Sequence, residues 1–510
     1  MNALIKKKST TEFIVIFAVF LLLWSYLIIR ANTVFFIYDE IFTKWNYMVS
    51  WNFIPREGII DANNHFTNSL LGGLFIRLFG SDNLWVVRLP NLITFPIYFW
   101  FIYGLRHFLN VKINFYGLLI TLASTAFIIE YFALARGYAM SMAFLVMAIQ
   151  QMLMYFKYDK KKYLIGTLIG WSLAIFANLT LLPIALFAII YLGLFIWKGR
   201  PKRLLIALLI PLVLIAYLVG YSLELNQSGK FYLGDSSSFF ETTVHSITFA
   251  LWKTSSLWID IVLSCTLLFI LVSLALFFLR DKTVFKIEHV FPIFLIASIL
   301  AILIQNSVLG INFPLDRAAL YLVVLFFGAL FFTLDRWNIK WGAYPLIFLA
   351  CFFFVKLFSF NSSLLFRYEH FDKKLLTLIP EKTNQLPSTV GSMDIPMARE
   401  CLRLEKLPFK SLQSASSPAD TLLDYIIIKD KIRPDLPKLY HQIYIDKISN
   451  IKLYQRNTFL KKKKRDEFSI NFNNKLEYNR VYRDSLRSPQ YLRCSGSIDN
   501  LEITDKTKLV

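Results

Sequence analysis

The sequence predicts a polytopic α-helical membrane protein that ends in a small C-terminal α/β domain. Of its 510 residues, 56% are hydrophobic, and the mean hydropathy of +0.51 is too high for a soluble chain with several domains. Apolar runs long enough to cross a bilayer recur from residue 13 to about residue 360. Beyond that point the hydrophobic density falls and charges multiply. We therefore divide the chain into a membrane domain, 1–360, and a C-terminal domain, 361–510.

The membrane domain begins with a basic flank, Lys6 to Lys8, followed by the apolar run FIVIFAVFLLLWSYLII. Because no small-residue cleavage site follows, we predict that this helix remains as an uncleaved anchor. We predict about eleven transmembrane helices. They are placed near 13–29, 85–105, 113–132, 138–156, 163–178, 181–197, 204–221, 259–279, 290–310, 318–334 and 341–360.

The charges in the loops predict the orientation of these helices. With a cytoplasmic N-terminus, the inward segments hold 18 Lys and Arg residues, and the outward segments up to residue 360 hold 9. This asymmetry follows the positive-inside rule and, with an odd number of spans, predicts an extracytoplasmic C-terminus. We expect the protein to lie in the plasma membrane, which is the inner membrane in bacteria. The net charge of +21 is explained by these loops and by contact with anionic lipid headgroups, and no nucleic-acid-binding motif accompanies it.

The sequence of the C-terminal domain predicts a small extracytoplasmic α/β module. LLDYIIIKD (422–430) and ISNIKLYQR (448–456) predict strands, and PKLYHQIYIDK (437–447) predicts a helix. The basic run 461–465 is interpreted as a solvated or headgroup-facing surface. Among the four cysteines no pair has metal-ligand spacing. The sequence does not decide whether Cys401 and Cys494 form a disulfide bond.

The first outward loop, 31–84, carries the strongest functional signal. It places Asp39 and Glu40 next to each other, about ten residues past the first apolar helix. A carboxylate pair at the mouth of a membrane domain is costly to keep near lipid, so it predicts a functional site. The alternative is a solvated loop with ordinary surface acids. Arg88 follows at the entrance of the second helix, where we expect an interfacial anchor.

Three later features are predicted to face the same compartment as the acid pair. The short turn LARGY carries Arg136. The loop from about 222 to 258 carries Lys253, and within it HSITFALWKTSSLW (245–258) predicts a helix lying flat at the interface. The segment INFPLDRAALY carries Asp316 and Arg317 just before the tenth span.

An acid pair with several arginines suits a transfer reaction from a lipid phosphate at the membrane surface. Breaking a sugar–phosphate bond releases an anionic phosphate, which requires cations, and the arginine fork matches phosphate oxygens. The attacking hydroxyl loses its proton, which calls for a positioned carboxylate. The adjacent acid would orient that base or hold a divalent cation such as Mg²⁺ or Mn²⁺.

The order of these motifs resembles the polyprenyl-phosphate-dependent glycosyltransferases of the GT-C fold, in particular protein O-mannosyltransferases and lipid A aminoarabinose transferases. The matching stretches are the acid pair, NNHFTNSLL, LFGSDNLWVVRLP, LARGYAM and LDRAALYLVVLFF. The chain departs from the family where Asn63-Asn64-His65 replaces a His-Pro-Pro element. It departs again where Asp316-Arg317-Ala318 replaces an Arg-Tyr element.

The resemblance implies a GT-C-like membrane domain with amphipathic helices in the first outward loop. It also implies inverting transfer of a sugar from a polyprenyl phosphate to a hydroxyl of a glycan, lipid or protein. Asp39 would be the base, and Glu40 would assist it or share a metal with it. The residues assigned to substrate binding are Asn64, His65, Arg136, Tyr138, Lys253 and Arg317.

Structural roles and other classes of protein remain as alternatives. Arg136 would otherwise cap a helix or snorkel to headgroups, and Lys253 would anchor an interfacial helix. The main rival class is a transporter or lipid flippase, which would place charges at mid-membrane and show a repeat between halves. An O-antigen-type polymerase or ligase would place its arginines in a large late loop. A structural scaffold is the remaining alternative.

Overall fold

The structure, a computed structural model, describes residues 10–56, 59–230, 234–253, 256–408, 411–414, 422–429 and 436–461. The chain divides into two compact units, Met1–His370 and Phe371–Val510. The fall in hydrophobic density along the sequence predicts this division at about residue 360.

Unit 1 is mainly helical, and its described residues form no β-strand. Its α-helices are α1 (Thr10–Thr33), α2 (Tyr38–Thr43), α3 (Phe66–Phe79), α4 (Leu84–Gly104), α5 (Lys112–Ser124), α6 (Ala126–Glu130), α7 (Gly137–Tyr158), α8 (Lys161–Ala177), α9 (Leu182–Gly199), α10 (Leu209–Gln227), α11 (His245–Trp252), α12 (Leu257–Asp281), α13 (Val290–Leu309), α14 (Leu320–Arg336) and α15 (Ala343–Leu357). Short 3₁₀-helices cover Leu105–His107, Tyr131–Ala133, Leu179–Leu181, Lys202–Leu208, Ile287–His289, Asp316–Ala319 and Arg367–Glu369, and π-helical turns cover Lys44–Val49 and Phe239–Val244.

Each of the eleven predicted spans coincides with a helix or with a bent helix pair. Within the described ranges, eight helices are long and apolar enough to cross a membrane, and the α5–α6 pair, bent by 44°, makes a ninth. The other two predicted spans are α8 and α15, which have 17 and 15 residues. The α5–α6 bend falls at Thr125, whose backbone is extended and interrupts the helix.

The surface of unit 1 is apolar, as a lipid-facing surface requires. Leu257 and Leu279 of α12 are 71% and 76% exposed, and Val355 of α15 is 74% exposed. Exposing side chains of this size along whole helices is unfavourable in water and neutral in lipid. Together with the span-length helices, this identifies an integral membrane protein.

The predicted helices in the first loop are present as α2, a π-helical turn and α3. Arg77 of α3 donates hydrogen bonds to the carbonyls of Met48 and Val49, which fixes the π-helical turn against α3. The buried face of α3 is mostly small or polar, comprising Phe66, Thr67, Asn68, Ser69, Gly72 and Gly73. Its exposed apolar residues are Leu70, Leu74, Leu78 and Phe79. This inverted amphipathic pattern suits a helix that contacts lipid rather than water.

The prediction of one interfacial helix over 245–258 is wrong. The helix α11 ends at Trp252, because Lys253 adopts a left-handed conformation (φ 53°), and α12 begins at Leu257. A non-glycine residue in this conformation ends a helix at a local cost in energy.

Unit 2 contains a five-stranded mixed sheet with short helices, which confirms the predicted small α/β module. Its elements are α16 (Lys374–Thr377), β1 (Lys382–Thr383), β2 (Leu386–Pro387), β3 (Thr389–Ser392), α17 (Ile395–Leu404), β4 (Ser411–Ser414), β5 (Tyr425–Lys429), α18 (Leu436–Leu439), β6 (Tyr440–Ile445) and β7 (Ile451–Arg456). The sheet order is β4-β3-β5-β7-β6, with β3 parallel to β4 and β5, and β7 antiparallel to β5 and β6.

The two predicted strands of unit 2 are confirmed as β5 and β7, but the predicted helix over 437–447 is wrong. Only α18 is helical there, and β6 occupies the rest of the segment. The aromatic and β-branched side chains of YHQIYI favour a strand once β7 offers a pairing partner. Residues 462–465 of the predicted basic run and Cys494 lie outside the described residues.

Candidate active site

The acid pair Asp39-Glu40 lies in the first turn of α2, but its two carboxylates have different surroundings. Glu40 is completely buried and forms a bidentate ion pair with Arg88: Oε1 accepts from Nε at 2.8 Å and Oε2 from Nη2 at 2.6 Å. The backbone N–H groups of Ala135 and Ile37 donate to the same carboxylate at 2.6 and 3.1 Å. Glu40 is therefore saturated by partners from α4, from the turn before α7 and from its own loop.

Arg88 completes this arrangement by binding the carbonyl groups that follow α1. Its guanidinium donates to the oxygens of Ala31, Val34 and Phe35 at 3.1, 2.7 and 3.2 Å. The expectation that Arg88 anchors at the interface is wrong, because the side chain is fully buried. Burying such an ion pair costs desolvation free energy. Removing one partner destabilises the fold still more, because it leaves an uncompensated buried charge.

Asp39, by contrast, remains partly exposed and faces two arginines from distant parts of the chain. Its Oδ2 lies 3.3 Å from Arg136 Nη2 and 3.0 Å from Arg317 Nη2. The side chain of Asp39 is 18% exposed, that of Arg317 16%, and that of Arg136 only 1%. Asp39 and Arg136, which the sequence predicts to face the same compartment, are therefore in contact in the structure.

Arg136 is fixed by the first loop. It precedes α7 with an extended backbone, and its Nη2 donates to Asn63 Oδ1 at 2.8 Å. Its Nη1 lies 3.4 Å from both the carbonyl oxygen of Asp39 and the hydroxyl of Thr43. The guanidinium also lies 5.7 Å from the ring centre of Tyr138, within cation–π range.

Arg317 reaches the site from the 3₁₀-helix before α14. Its guanidinium packs over the ring of Phe366 at 5.4 Å, and its buried Nε has no hydrogen-bond partner. Tyr138 and Asp39 are further side-chain partners of Arg317, so the N–H group at Nε is the part of the guanidinium that remains for an incoming acceptor.

His65 lies beside these arginines at the start of α3. Its Nδ1 donates to the carbonyl oxygen of Ala177 at 2.9 Å, and its buried Nε2 has no hydrogen-bond partner. Burial, together with the positive charges of Arg136 and Arg317, holds the pKa of His65 well below its ordinary value. The ring is therefore neutral at physiological pH, and because Nδ1 donates, Nε2 is left as an acceptor.

The aromatic ring of Tyr138 packs edge-on against His65, with centroids 4.7 Å apart, and the ring of Tyr131 lies 5.0 Å from that of Tyr138. Gly137 allows this close approach. A Cβ at Gly137 would lie 2.2 Å from the Ala177 carbonyl oxygen and 2.5 Å from His65 Cβ. The small residue in the LARGYAM turn thus permits the contact between α7, α8 and the first loop.

The side chain of Asn64 forms hydrogen bonds within the first loop and to α3, and not to the arginines of the site. Its Nδ2 donates to the carbonyl oxygen of Phe53 at 3.1 Å, and its Oδ1 accepts from Ser69 Oγ at 2.9 Å. Asn63, which the sequence analysis did not select, is the asparagine that contacts Arg136. Neighbouring asparagines in an irregular loop cannot be told apart by sequence.

Lys253 lies near Asp316, the residue that precedes Arg317. Burial lowers the pKa of Lys253, and the nearby negative charge of Asp316 partly offsets that effect. Ser246 Oγ accepts from the backbone N–H of Asp316 at 2.9 Å, and Thr243 Oγ1 donates to the carbonyl of Pro314 at 2.7 Å. The segment that carries Lys253 is thereby joined to the segment that carries Arg317.

Two features of the site were not predicted from the sequence. The first is a buried ion pair between Arg30 and Glu130, whose Oε1 also accepts from Ser363 Oγ at 2.6 Å. The second is Glu369, whose Oε2 accepts from the backbone N–H of Tyr38 at 2.7 Å, next to Asp39. Both involve the polar segment after α15, which the sequence analysis assigned to the C-terminal domain.

The carboxylates of Asp39 and Glu40 do not fit a divalent cation. Both Glu40 oxygens are paired with Arg88, and Asp39 Oδ2 lies between two guanidinium groups that would repel a cation. In the part of the chain that the structure describes, no three His, Cys, Asp or Glu side chains are grouped to hold a metal ion. We therefore derive no chemical step from a metal.

A polytopic helical domain with helices in its first loop, followed by a small C-terminal sheet, is the architecture of the GT-C fold, as the resemblance implied. The solved structures that share this fold include ArnT from Cupriavidus metallidurans. Its apo structure matches with a TM-score of 0.50 and 11% identity, over 87% of this chain and 98% of that chain. The same protein bound to undecaprenyl phosphate matches with a TM-score of 0.46 and 10% identity, over 88% and 98%.

No protein-family model matches the chain, and no curated protein matches it in sequence. At 11% identity, the similarity to ArnT establishes the fold alone.

Proposed function

We propose that this protein transfers a sugar from a polyprenyl-phosphate donor to a hydroxyl acceptor, with inversion at the anomeric carbon. The observation that carries the proposal is the Asp39 carboxylate held between Arg136 and Arg317. The ArnT-like fold supports it, and one of the ArnT structures contains undecaprenyl phosphate.

In the proposed reaction, Asp39 takes the proton of the acceptor hydroxyl as its oxygen bonds to the anomeric carbon. The bond between that carbon and the phosphate oxygen breaks on the opposite side, and polyprenyl phosphate leaves with the electron pair. Its negative charge requires cations already in place, which Arg136 and Arg317 supply. The charges balance without a metal or an external acid.

Arg317 is proposed to contact the donor phosphate more directly than Arg136. Its Nε has no hydrogen-bond partner, and its side chain is more exposed than that of Arg136. When Arg317 turns towards phosphate, Asp39 loses one of its two cationic partners and becomes free to accept a proton. Glu40 then acts as a positioning residue, because Arg88 and backbone N–H groups occupy its oxygens.

His65 and Tyr138 are proposed to line the sugar-binding side of the site. The unpartnered Nε2 of neutral His65 offers an acceptor for a sugar hydroxyl, and aromatic rings suit the apolar face of a sugar. We further propose that the site faces outward from the plasma membrane, with a cytoplasmic N-terminus and an extracytoplasmic C-terminus, because the basic residues concentrate in the inward loops.

The test is transfer from a radiolabelled polyprenyl-phosphate sugar into membranes containing the full chain. We expect Asp39→Asn to reduce transfer by about 10²–10⁴-fold, the usual contribution of a positioned base. Glu241→Gln, which removes an exposed carboxylate from the 234–253 segment, serves as the matched control and should transfer normally. Unchanged transfer by the Asp39 variant would remove Asp39 from the mechanism.

A further inference from the structure

Residues 359–370, here named the return segment, follow α15 and are fixed to the helical bundle by buried charges. Arg30 donates to the carbonyl oxygen of Ser359. Ser363 Oγ and the backbone N–H of Leu364 donate to Glu130 Oε1 at 2.6 and 3.0 Å. Since Arg30 and Glu130 also pair with each other, the return segment is part of a buried polar network.

The far end of the return segment reaches the candidate active site at two points. The ring of Phe366 lies under the guanidinium of Arg317 at 5.4 Å. Glu369 Oε2 accepts a hydrogen bond from the backbone N–H of Tyr38 at 2.7 Å. Because Tyr38 immediately precedes Asp39, Glu369 helps to fix the backbone that positions Asp39.

The charge of Glu369 is less compensated than that of Glu40. Among the described residues, no Lys, Arg or His side chain lies within 4.0 Å of the Glu369 carboxylate, whereas Arg88 binds Glu40 through two nitrogens. Burial raises the pKa of Glu369, and the charge of Asp39 adds to the effect, while the Tyr38 N–H, Tyr368 and Arg317 oppose it. Glu369 thus holds a proton at a higher pH than an ordinary glutamate.

We propose that Glu369, rather than Glu40, is the second functional carboxylate of this site. It is a positioning residue that fixes Asp39 through Tyr38 and sets the net charge presented to the phosphate of the lipid donor. This inference rests on the proposed function and names the residue that tunes its phosphate binding.

The expected effect follows from the charges around Glu369. With Glu369 ionised, the two carboxylates of Asp39 and Glu369 oppose the two guanidinium groups of Arg136 and Arg317. With Glu369 protonated, the same groups carry one net positive charge. Binding of a phosphate anion is therefore stronger at low pH and weakens as the pH rises through the ionisation of Glu369.

The experiment measures the Kd of polyprenyl methyl phosphate for the full chain in detergent from pH 4, below the ordinary glutamate pKa of 4.5, to pH 8. This phosphodiester keeps a single negative charge across that range, so the ligand itself does not titrate. For the wild type we expect the Kd to rise by about fivefold with pH, the change that one partly screened charge produces. Glu369→Gln should keep the low-pH affinity throughout.

The glutamine variant separates a charge effect from a structural one. Its side-chain oxygen still accepts from the Tyr38 N–H, so a purely structural Glu369 would leave the Glu369→Gln variant identical to the wild type. That result, or a wild-type Kd that does not change with pH, would overturn the inference. Glu241→Gln is the control for removing an exposed charge and should keep the wild-type pH dependence.

The outcome also distinguishes this inference from the proposed function. A wild type that transfers sugar but binds the diester with the same pH dependence as Glu369→Gln would overturn only the role of Glu369. A wild type that neither binds polyprenyl methyl phosphate nor transfers sugar would overturn both proposals.

Discussion

The Asp39 carboxylate and the Arg317 guanidinium lie 3.0 Å apart, although one belongs to the first loop and the other precedes α14. Arg136 approaches the same oxygen at 3.3 Å. Residues from three separate segments therefore meet at one carboxylate. All three side chains are mostly buried, and Arg317 Nε has no hydrogen-bond partner. The unsatisfied N–H group supports the proposal that an anion binds here.

Loss of Arg317 is expected to weaken the binding of polyprenyl phosphate. Arg317→Ala removes the more exposed guanidinium. It should weaken the binding free energy by about 1.5–3 kcal/mol, which raises the Kd roughly 10–100-fold. The measurement is a titration of the detergent-solubilised protein at constant pH. Arg56→Ala, which breaks an exposed pair with Glu224, is the control and should bind normally. Equal affinities for the two variants would exclude Arg317 from the phosphate site.

The Glu40–Arg88 pair is expected to dominate local stability. Glu40→Gln leaves the buried Arg88 charge without its partner and should lower the free energy of unfolding by about 3–5 kcal/mol. Thermal unfolding in detergent, followed by tryptophan fluorescence, gives the comparison. The exposed ion pair between Arg56 and Glu224 supplies the control. Glu224→Gln should lower the free energy of unfolding by no more than about 1 kcal/mol.

A double variant tests whether the loss comes from the unpaired charge. Glu40→Gln combined with Arg88→Met removes both charges and should recover part of the stability. The loss of unfolding free energy in the double variant is compared with the sum of the losses in the Glu40→Gln and Arg88→Met single variants. If the two are equal, Glu40 and Arg88 are not energetically coupled.

The buried His65 is expected to make stability depend on pH. Its pKa in the folded protein lies well below the ordinary value of 6.5, so below pH 6.5 the unfolded chain binds more protons than the folded protein. The contribution of His65 is thus fully present above pH 6.5 and is lost as the pH falls towards the pKa of the folded state.

His65→Asn should remove this pH dependence, because an asparagine amide can still donate to the Ala177 carbonyl but does not titrate. Unfolding measured between pH 5 and pH 8 checks the prediction. The difference between the two proteins at pH 8, where His65 is neutral in both the folded and the unfolded state, gives the cost of the substitution itself. A profile that His65→Asn does not alter would contradict a neutral, buried His65.

The glycine of the LARGYAM turn is expected to be intolerant of any side chain. Gly137→Ala would force a Cβ against the Ala177 carbonyl and His65, and overpacking of this kind costs about 1–3 kcal/mol. The same shift should displace Arg136 and reduce transfer. Gly199→Ala is the matched change, because open space surrounds that position. Equal unfolding temperatures for the two variants would rule out the close contact.

Chelation is expected to leave transfer unchanged. Arg88 binds both oxygens of Glu40, and the positive charges of Arg136 and Arg317 beside Asp39 Oδ2 would repel a divalent cation. Transfer with excess EDTA, compared with transfer after addition of Mg²⁺ or Mn²⁺, is the direct measurement. A loss of activity that either ion restores would contradict this reading of the donor set.

Much of the fold follows from patterns that are local in sequence. Apolar runs of span length located all eleven helical segments, since a helix in lipid must be continuously apolar. The strands β5 and β7 followed from their β-branched and aromatic residues. The segment that became β6 was misassigned because its side chains suit either state and only pairing with β7 decides it.

The site was less accessible to sequence reasoning, because its contacts are long-range. The sequence places Asp39 and Glu40 side by side with identical local context, yet Arg88 from the second predicted span occupies only one of them. Glu369 lies far along the chain, in a polar stretch with no motif. Which carboxylate stays available is decided by tertiary packing, and residue type alone carries no such information.

The return segment sets a lower limit on how far this chain can be shortened. A protein ending at residue 358 would lack Ser363 and Leu364, leaving Glu130 buried with Arg30 as its remaining partner. It would also lose the acceptor for the Tyr38 N–H. Any minimal version of the membrane unit must therefore extend through Glu369, well beyond the last apolar helix.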